Sequence, residues 1–115
     1  MEEWEKPRYD QLYRSIPDIW KCKSILYVGA HEGRIHFGDP IKANGLEIDV
    51  IEIWGPNVKH LRESVNWFNS VIEGDIREID NLISRKYDII FWWHGPEHIE
   101  KSDLFTTLKK IEEYA

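Results

Sequence analysis

Ser24-Ile25-Leu26-Tyr27-Val28-Gly29-Ala30-His31-Glu32-Gly33 decides how this chain is read. Five residues of apolar or β-preferring character run straight into a Gly-x-x-x-Gly turn. The pattern predicts a buried parallel strand that ends in a loop whose backbone must come close to something. In open α/β sheets, ligands lie in the crevice beyond the carboxyl ends of the strands, beside the first βα turn. The functional site is therefore expected here.

Working outward, runs of strand length return three times. Ile48 to Ile53 predicts a second strand, Val71-Ile72 a short third and Tyr87 to Trp93 a fourth. The fourth is nearly continuous in apolar residues, as a strand buried on both faces should be. Trp92 and Trp93 would point to opposite sides of it, so both sides need cover. Between strands, Gly55-Pro56-Asn57 opens a helix with Val58, Leu61, Val65 and Phe68 on one face. Ile76, Ile79, Leu82 and Ile83 mark a second helix, and a last one from Ser102-Asp103 buries Leu104, Leu108 and Ile111. Tyr9 to Trp20 carries a helical stripe interrupted at Pro17, after a charged, loosely held start over residues 1–8. Arg34 to Glu47, where the first crossover helix belongs, is broken by Gly38, Asp39, Pro40 and Gly45 and has room for about one turn. Alternating strands and helices imply a parallel sheet with right-handed crossovers.

At 115 residues, with 42% apolar content, the chain suits one domain with one core over 1–115. The single cysteine, Cys22, cannot form an internal disulfide. With no leader pattern and no apolar run near the ~20 residues of a membrane helix, the cytoplasm is the expected location and no membrane partner is expected. A net charge of −6 argues against nucleic-acid binding through this chain alone, because that affinity comes largely from Lys and Arg on phosphates.

Four βα junctions share one edge of the predicted sheet and carry the chemistry. The first supplies Gly29 to Gly33. The second supplies Glu52, about 20 residues on, where a carboxylate can accept both hydroxyls of a ribose. The third supplies Asp75, suited to accept from an exocyclic amine, and the fourth supplies His94, Glu97 and His98. Simpler roles stand beside these: a tight turn for the glycines, a solvated strand end for Glu52, a helix cap for Asp75. A nicotinamide fingerprint would need glycines where His31 and Arg34 stand, and no Gly-Lys-Ser/Thr follows the turn as a P-loop requires. His94-Gly95-Pro96-Glu97-His98 has the spacing of a metalloprotease motif, which works only on a continuous helix, and Gly95-Pro96 denies one. No metal site is expected, and His36 and His60 read as surface residues.

The series resembles the front half of a class I S-adenosylmethionine-dependent methyltransferase over roughly residues 24 to 111. Ile25 to Gly33 is similar to that family's first motif, a hydrophobic strand ending in Gly-x-Gly-x-Gly, with His31 in place of the middle glycine. Ile51-Glu52-Ile53 resembles the second, whose acidic residue holds the ribose, and Val71 to Ile76 the third, whose Asp and next apolar residue frame the adenine. Tyr87 to Phe91 followed by Glu97-His98-Ile99 resembles the fourth strand and its Glu-His ending, with His94 where relatives often carry an acid.

The resemblance implies a Rossmann-like, open, mainly parallel sheet of four strands in the order 3-2-1-4, truncated relative to the family's seven. It implies S-adenosylmethionine as cofactor, held by Gly29, Ala30, His31, Glu32, Gly33, Glu52, Ile53, Asp75, Ile76 and His94. Glu97 or His98 would take a proton from a methyl acceptor that the sequence does not identify. The competing expectation is a non-catalytic module that keeps the fold for binding or oligomerisation. With that strand order the fourth strand is an apolar edge that neither Pro nor Lys interrupts, so a homodimer through it is expected, unless the segment with Trp4 and Tyr9 folds over it.

Overall fold

The computed structural model describes residues 22–30, 46–65, 68–92 and 99–115. The stripe over Tyr9 to Trp20, the first crossover segment, Trp93 and His36 lie outside them.

Four strands form one sheet: β1 (Ser24–Val28), β2 (Glu47–Glu52), β3 (Ser70–Glu73) and β4 (Ile89–Trp92). All pair in parallel in the order β3-β2-β1-β4, as expected. The register sets Leu26 between Asp49 and Ile90, and Val50 beside Val71.

Strand alternation sorts the apolar side chains onto two faces. Ile25, Tyr27, Ile48 and Val50 pack on one face, with Val71, Ile89 and Phe91 against them. Helix α1 (Gly55–Ser64) covers that side with Leu61. Leu26, Val28 and Ile51 build the other core with Ile76, Ile79, Ile83 and Tyr87. There the cover is a 3-10 turn (Ile76–Glu78), the single turn α2 (Ile79–Leu82), and α3 (Lys101–Glu112), joined by Ile99, Ile111 and Tyr114. A sheet apolar on both faces needs a layer on each side, and this one has it.

Several boundaries differ from expectation. α1 stops at Ser64, where Val65 turns extended, yet Val65 and Phe68 still pack on the core from beyond the helix. The helix expected from Ile76 is only a 3-10 turn and four residues. β4 begins at Ile89, because Tyr87 turns inward to hydrogen-bond Asp49 and Asp88 anchors Ser24. In α3, Thr107 is buried and Leu108 stays exposed.

Side chains tie the amino-terminal ends of the strands together. Asp49, buried in β2, accepts from Tyr87 Oη and Ser70 Oγ at 2.7 Å and from Asn69 Nδ2 at 2.9 Å. Arg85 donates to Glu47 at 2.9 Å and lies 4.9 Å from the centre of the Tyr87 ring. Lys23 N and Ser24 N donate to Asp88 Oδ2, and Asp88 N donates back to Ser24 Oγ. Burial, the largest influence on Asp49, pushes its carboxyl up, but the bonds from Tyr87, Ser70 and Asn69 and the Arg85 charge outweigh it. The carboxylate is held below its usual range.

Candidate functional site

Among the described residues, the amino ends of the strands are tied and the carboxyl ends border a cavity. The cavity, of about 470 Å³, is lined from β1, β2 and β4 and by the turns that follow β1, β2 and β3. Val28 and Gly29 come from β1 and its turn, Ile51 to Ile53 from β2, Gly74 to Arg77 from the turn after β3, and Trp92 from β4. Ile99, Glu100 and Asp103 close it from the start of α3.

Two rungs beyond the strands hold this rim level. Gly29 N donates to Ile51 O at 2.8 Å, and Gly74 N donates to Glu52 O at 3.0 Å. Gly29 reaches its rung with φ +72°, in the left-handed region that glycine enters freely. A Cβ there would meet nothing within 4 Å, so the backbone turn, not crowding, requires glycine.

Glu52 is 3% exposed yet borders the cavity. Its Oε1 accepts from Trp54 N at 3.4 Å, so the carboxylate is folded back over the start of α1. A carboxylate this buried is not a solvated strand end.

Asp75 does cap the turn that follows it: its Oδ1 accepts from Arg77 N at 2.9 Å. The Arg77 guanidinium adds bonds to both carboxylate oxygens, from Nε at 2.9 and 3.1 Å and from Nη2 at 2.5 Å. Hydrogen bonding from Arg77 holds the Asp75 carboxyl below its usual range. Nη1 of Arg77 lies 3.5 Å from Asp103 Oδ2, linking the β3 turn to α3.

Thus Gly29, Glu52, Ile53, Asp75 and Ile76 are brought to one cavity wall. Ala30 is buried in the core with Ile25 and Tyr27 and does not line the cavity. His31, Glu32, Gly33, His94, Glu97 and His98 lie outside the described residues. Arg77 was missed by sequence reasoning, although its place two residues after an N-capping Asp was a legible signal for a backbone and side-chain pair. Glu100 and Asp103 were also missed, since only the packing of α3 brings them across. Among the described residues, no group of His, Cys, Asp and Glu could hold a metal ion.

No family model and no curated protein matches the sequence. Solved structures do match by shape. The SAM-bound amino pentose methyltransferase CalS10 from Micromonospora echinaspora aligns with a TM-score of 0.74 at 13% identity, over 98% of this chain and 47% of that one. The glycopeptide N-methyltransferase MtfA complexed with sinefungin aligns at 0.70 and 13% identity, over 90% and 44%. A SAM-dependent methyltransferase from Archaeoglobus fulgidus aligns at 0.64 and 22% identity, over 93% and 48%. The chain spans about half the length of these structures. Its parallel sheet in the order 3-2-1-4, with β2 and β1 inside and helices on both faces, has the Rossmann-like fold that these methyltransferase structures share.

Proposed function

We propose that the cavity at the strand ends binds S-adenosylmethionine and that the chain serves methyl transfer to an acceptor. The observation that carries this reading is the convergence of three separate βα turns, with the buried Glu52, on one cavity. Its volume falls within the ~300–1,000 Å³ of small-molecule sites. The lining mixes apolar Val28, Ile51, Ile53, Ile76 and Trp92 with four carboxylates and one guanidinium, a balance that suits a ligand with a flat base, a diol and positive charge. By chemistry and size, the residues fit the cofactor.

When bound, that cofactor supplies an electrophilic methyl on a sulfonium, which leaves as a neutral thioether. Glu52 accepts from the ribose hydroxyls, a charge-assisted pair of bonds. Gly29 lets the backbone come close to the amino-acid part. Ile53 and Ile76 offer apolar surface to the base, and Asp75 accepts from its amine once Arg77 yields one of its bonds. Positioning supplies most of the acceleration in such a transfer, so little acid–base machinery is needed. Glu97 or His98 takes the acceptor's proton where one is released. The cytoplasm, the expectation from Cys22, is the proposed location.

Calorimetric titration with S-adenosylhomocysteine tests this reading. One-to-one binding is expected, weakened by about 1–3 kcal/mol in Glu52→Ala, the range for a lost hydrogen bond to a charged group. No heat at millimolar ligand overturns the reading, and an unchanged constant in the variant removes Glu52 from the site.

A further inference from the structure

The outward side of α3 is divided lengthwise. Thr107 is buried at 2% exposure, Ile111 and Tyr114 pack on the core, and Leu104 is half-buried. Of the exposed positions, Ser102, Thr106, Lys109 and Glu113 form a polar half. The other half is Lys101, Phe105, Leu108 and Glu112, all exposed, spaced four, three and four residues apart along one stripe. Phe105 is 66% exposed and Leu108 42%, large apolar side chains at the centre of that stripe. The Lys109 ammonium covers one side of the Phe105 ring at 5.0 Å.

The order of residues in the stripe is cation, apolar, apolar, anion. Laid antiparallel on a copy of itself across a two-fold axis between Phe105 and Leu108, it is self-complementary. Lys101 meets Glu112 of the copy, Phe105 meets Leu108, and each contact occurs twice, as an isologous interface requires. Spacing of four and three residues is that of helices packing side by side along a seam. A parallel alignment would set Lys101 against Lys101 and Glu112 against Glu112, which charge repulsion disfavours.

We propose that this stripe is a self-association surface, and that two copies of the chain pair through antiparallel α3 helices. It is a different surface from the edge strand β4, whose residues are half-buried, and it presents its apolar centre to solvent. A seam of one 12-residue helix on each side is at the small end of specific interfaces, so the dimer is weak and concentration-dependent.

Sedimentation equilibrium of the whole chain across micromolar concentrations, with ligand absent, tests it separately from any cofactor reading. A monomer–dimer equilibrium is expected in the wild type. Leu108→Glu should weaken it about tenfold or more, since it places a charge in the apolar centre. Lys101→Glu and Glu112→Lys should each weaken it about threefold or more, since each change acts at both ion pairs. The double variant Lys101→Glu/Glu112→Lys should recover self-association, and an equimolar mixture of the two single variants should form the heterodimer. Both swaps place charge with the sign the helix dipole favours, so folding is kept, and circular dichroism checks it. A wild-type monomer at about 100 µM, where complexes of micromolar affinity persist, overturns the proposal. So does a dimer indifferent to Leu108→Glu, or single variants that weaken pairing without rescue in the double.

Discussion

At the scale of the residue, the two buried carboxylates of β2 mark opposite ends of the molecule's chemistry. Asp49 is fully engaged by Tyr87, Ser70 and Asn69, and its role is structural. Removing the donating hydroxyl in Tyr87→Phe leaves a buried charge with one donor fewer and should cost about 1–3 kcal/mol in urea unfolding. The pH dependence follows by sign. A carboxyl held lower in the folded chain than in the unfolded one stabilises the fold above the unfolded value, near 3.8. That stability is lost as pH falls through the folded-state value. Tyr87→Phe should therefore flatten the acid limb of stability against pH, and an identical limb in both proteins would refute the coupling. Gly29 carries a different constraint. Gly29→Ala meets no neighbour but must hold φ +72°, so a loss of about 1 kcal/mol is expected from the backbone alone. A neutral thermal shift would show that the turn relaxes to negative φ.

Elements show how far local preference carries. α1 starts after Trp54, which has the extended backbone of an N-cap, φ −90° and ψ 117°, but no side-chain bond to the helix. Trp54→Ser should stabilise the chain by about 0.5–1 kcal/mol, because a hydroxyl there can accept from an open helical N–H. Chemical denaturation measures it, and a loss of stability would mean that the exposed indole is packing on something that matters more. The turn after β3 has its cap already in Asp75, and the same side chain is gripped by Arg77. Capping and cavity lining thus fall on one residue. α3 shows periodicity misread: Leu104, Leu108 and Ile111 look like one face, but Thr107 defines the line that packs inward and Leu108 falls outside it.

For the whole molecule, tied amino ends and a cavity at the carboxyl ends set where a ligand can go. Ligand that binds only the folded chain should raise its stability by mass action, about 2.7 kcal/mol at a hundredfold excess over the dissociation constant. S-adenosylhomocysteine should thus raise the melting temperature of the wild type in proportion to the logarithm of its concentration. Adenosine alone should raise it less, and no shift with either would count against the cavity as a nucleoside site.

Composition and period determined the layered fold: four apolar runs of strand length, alternating with helical stripes, leave a parallel sheet covered on both faces as the solution that buries them. They also placed Gly29, Glu52 and Asp75 at strand ends, because a βα turn follows a strand wherever the apolar run stops. Tertiary structure alone decided the rest. Asp49 looks like a polar interruption of β2 until Tyr87, 38 residues on, supplies the donor that lets it be buried. Arg77 and Asp103 are unrelated in sequence and meet only because α3 crosses the β3 turn. Which line of α3 faces inward depends on the surface beneath it, since helix period constrains spacing around the axis but not rotation about it.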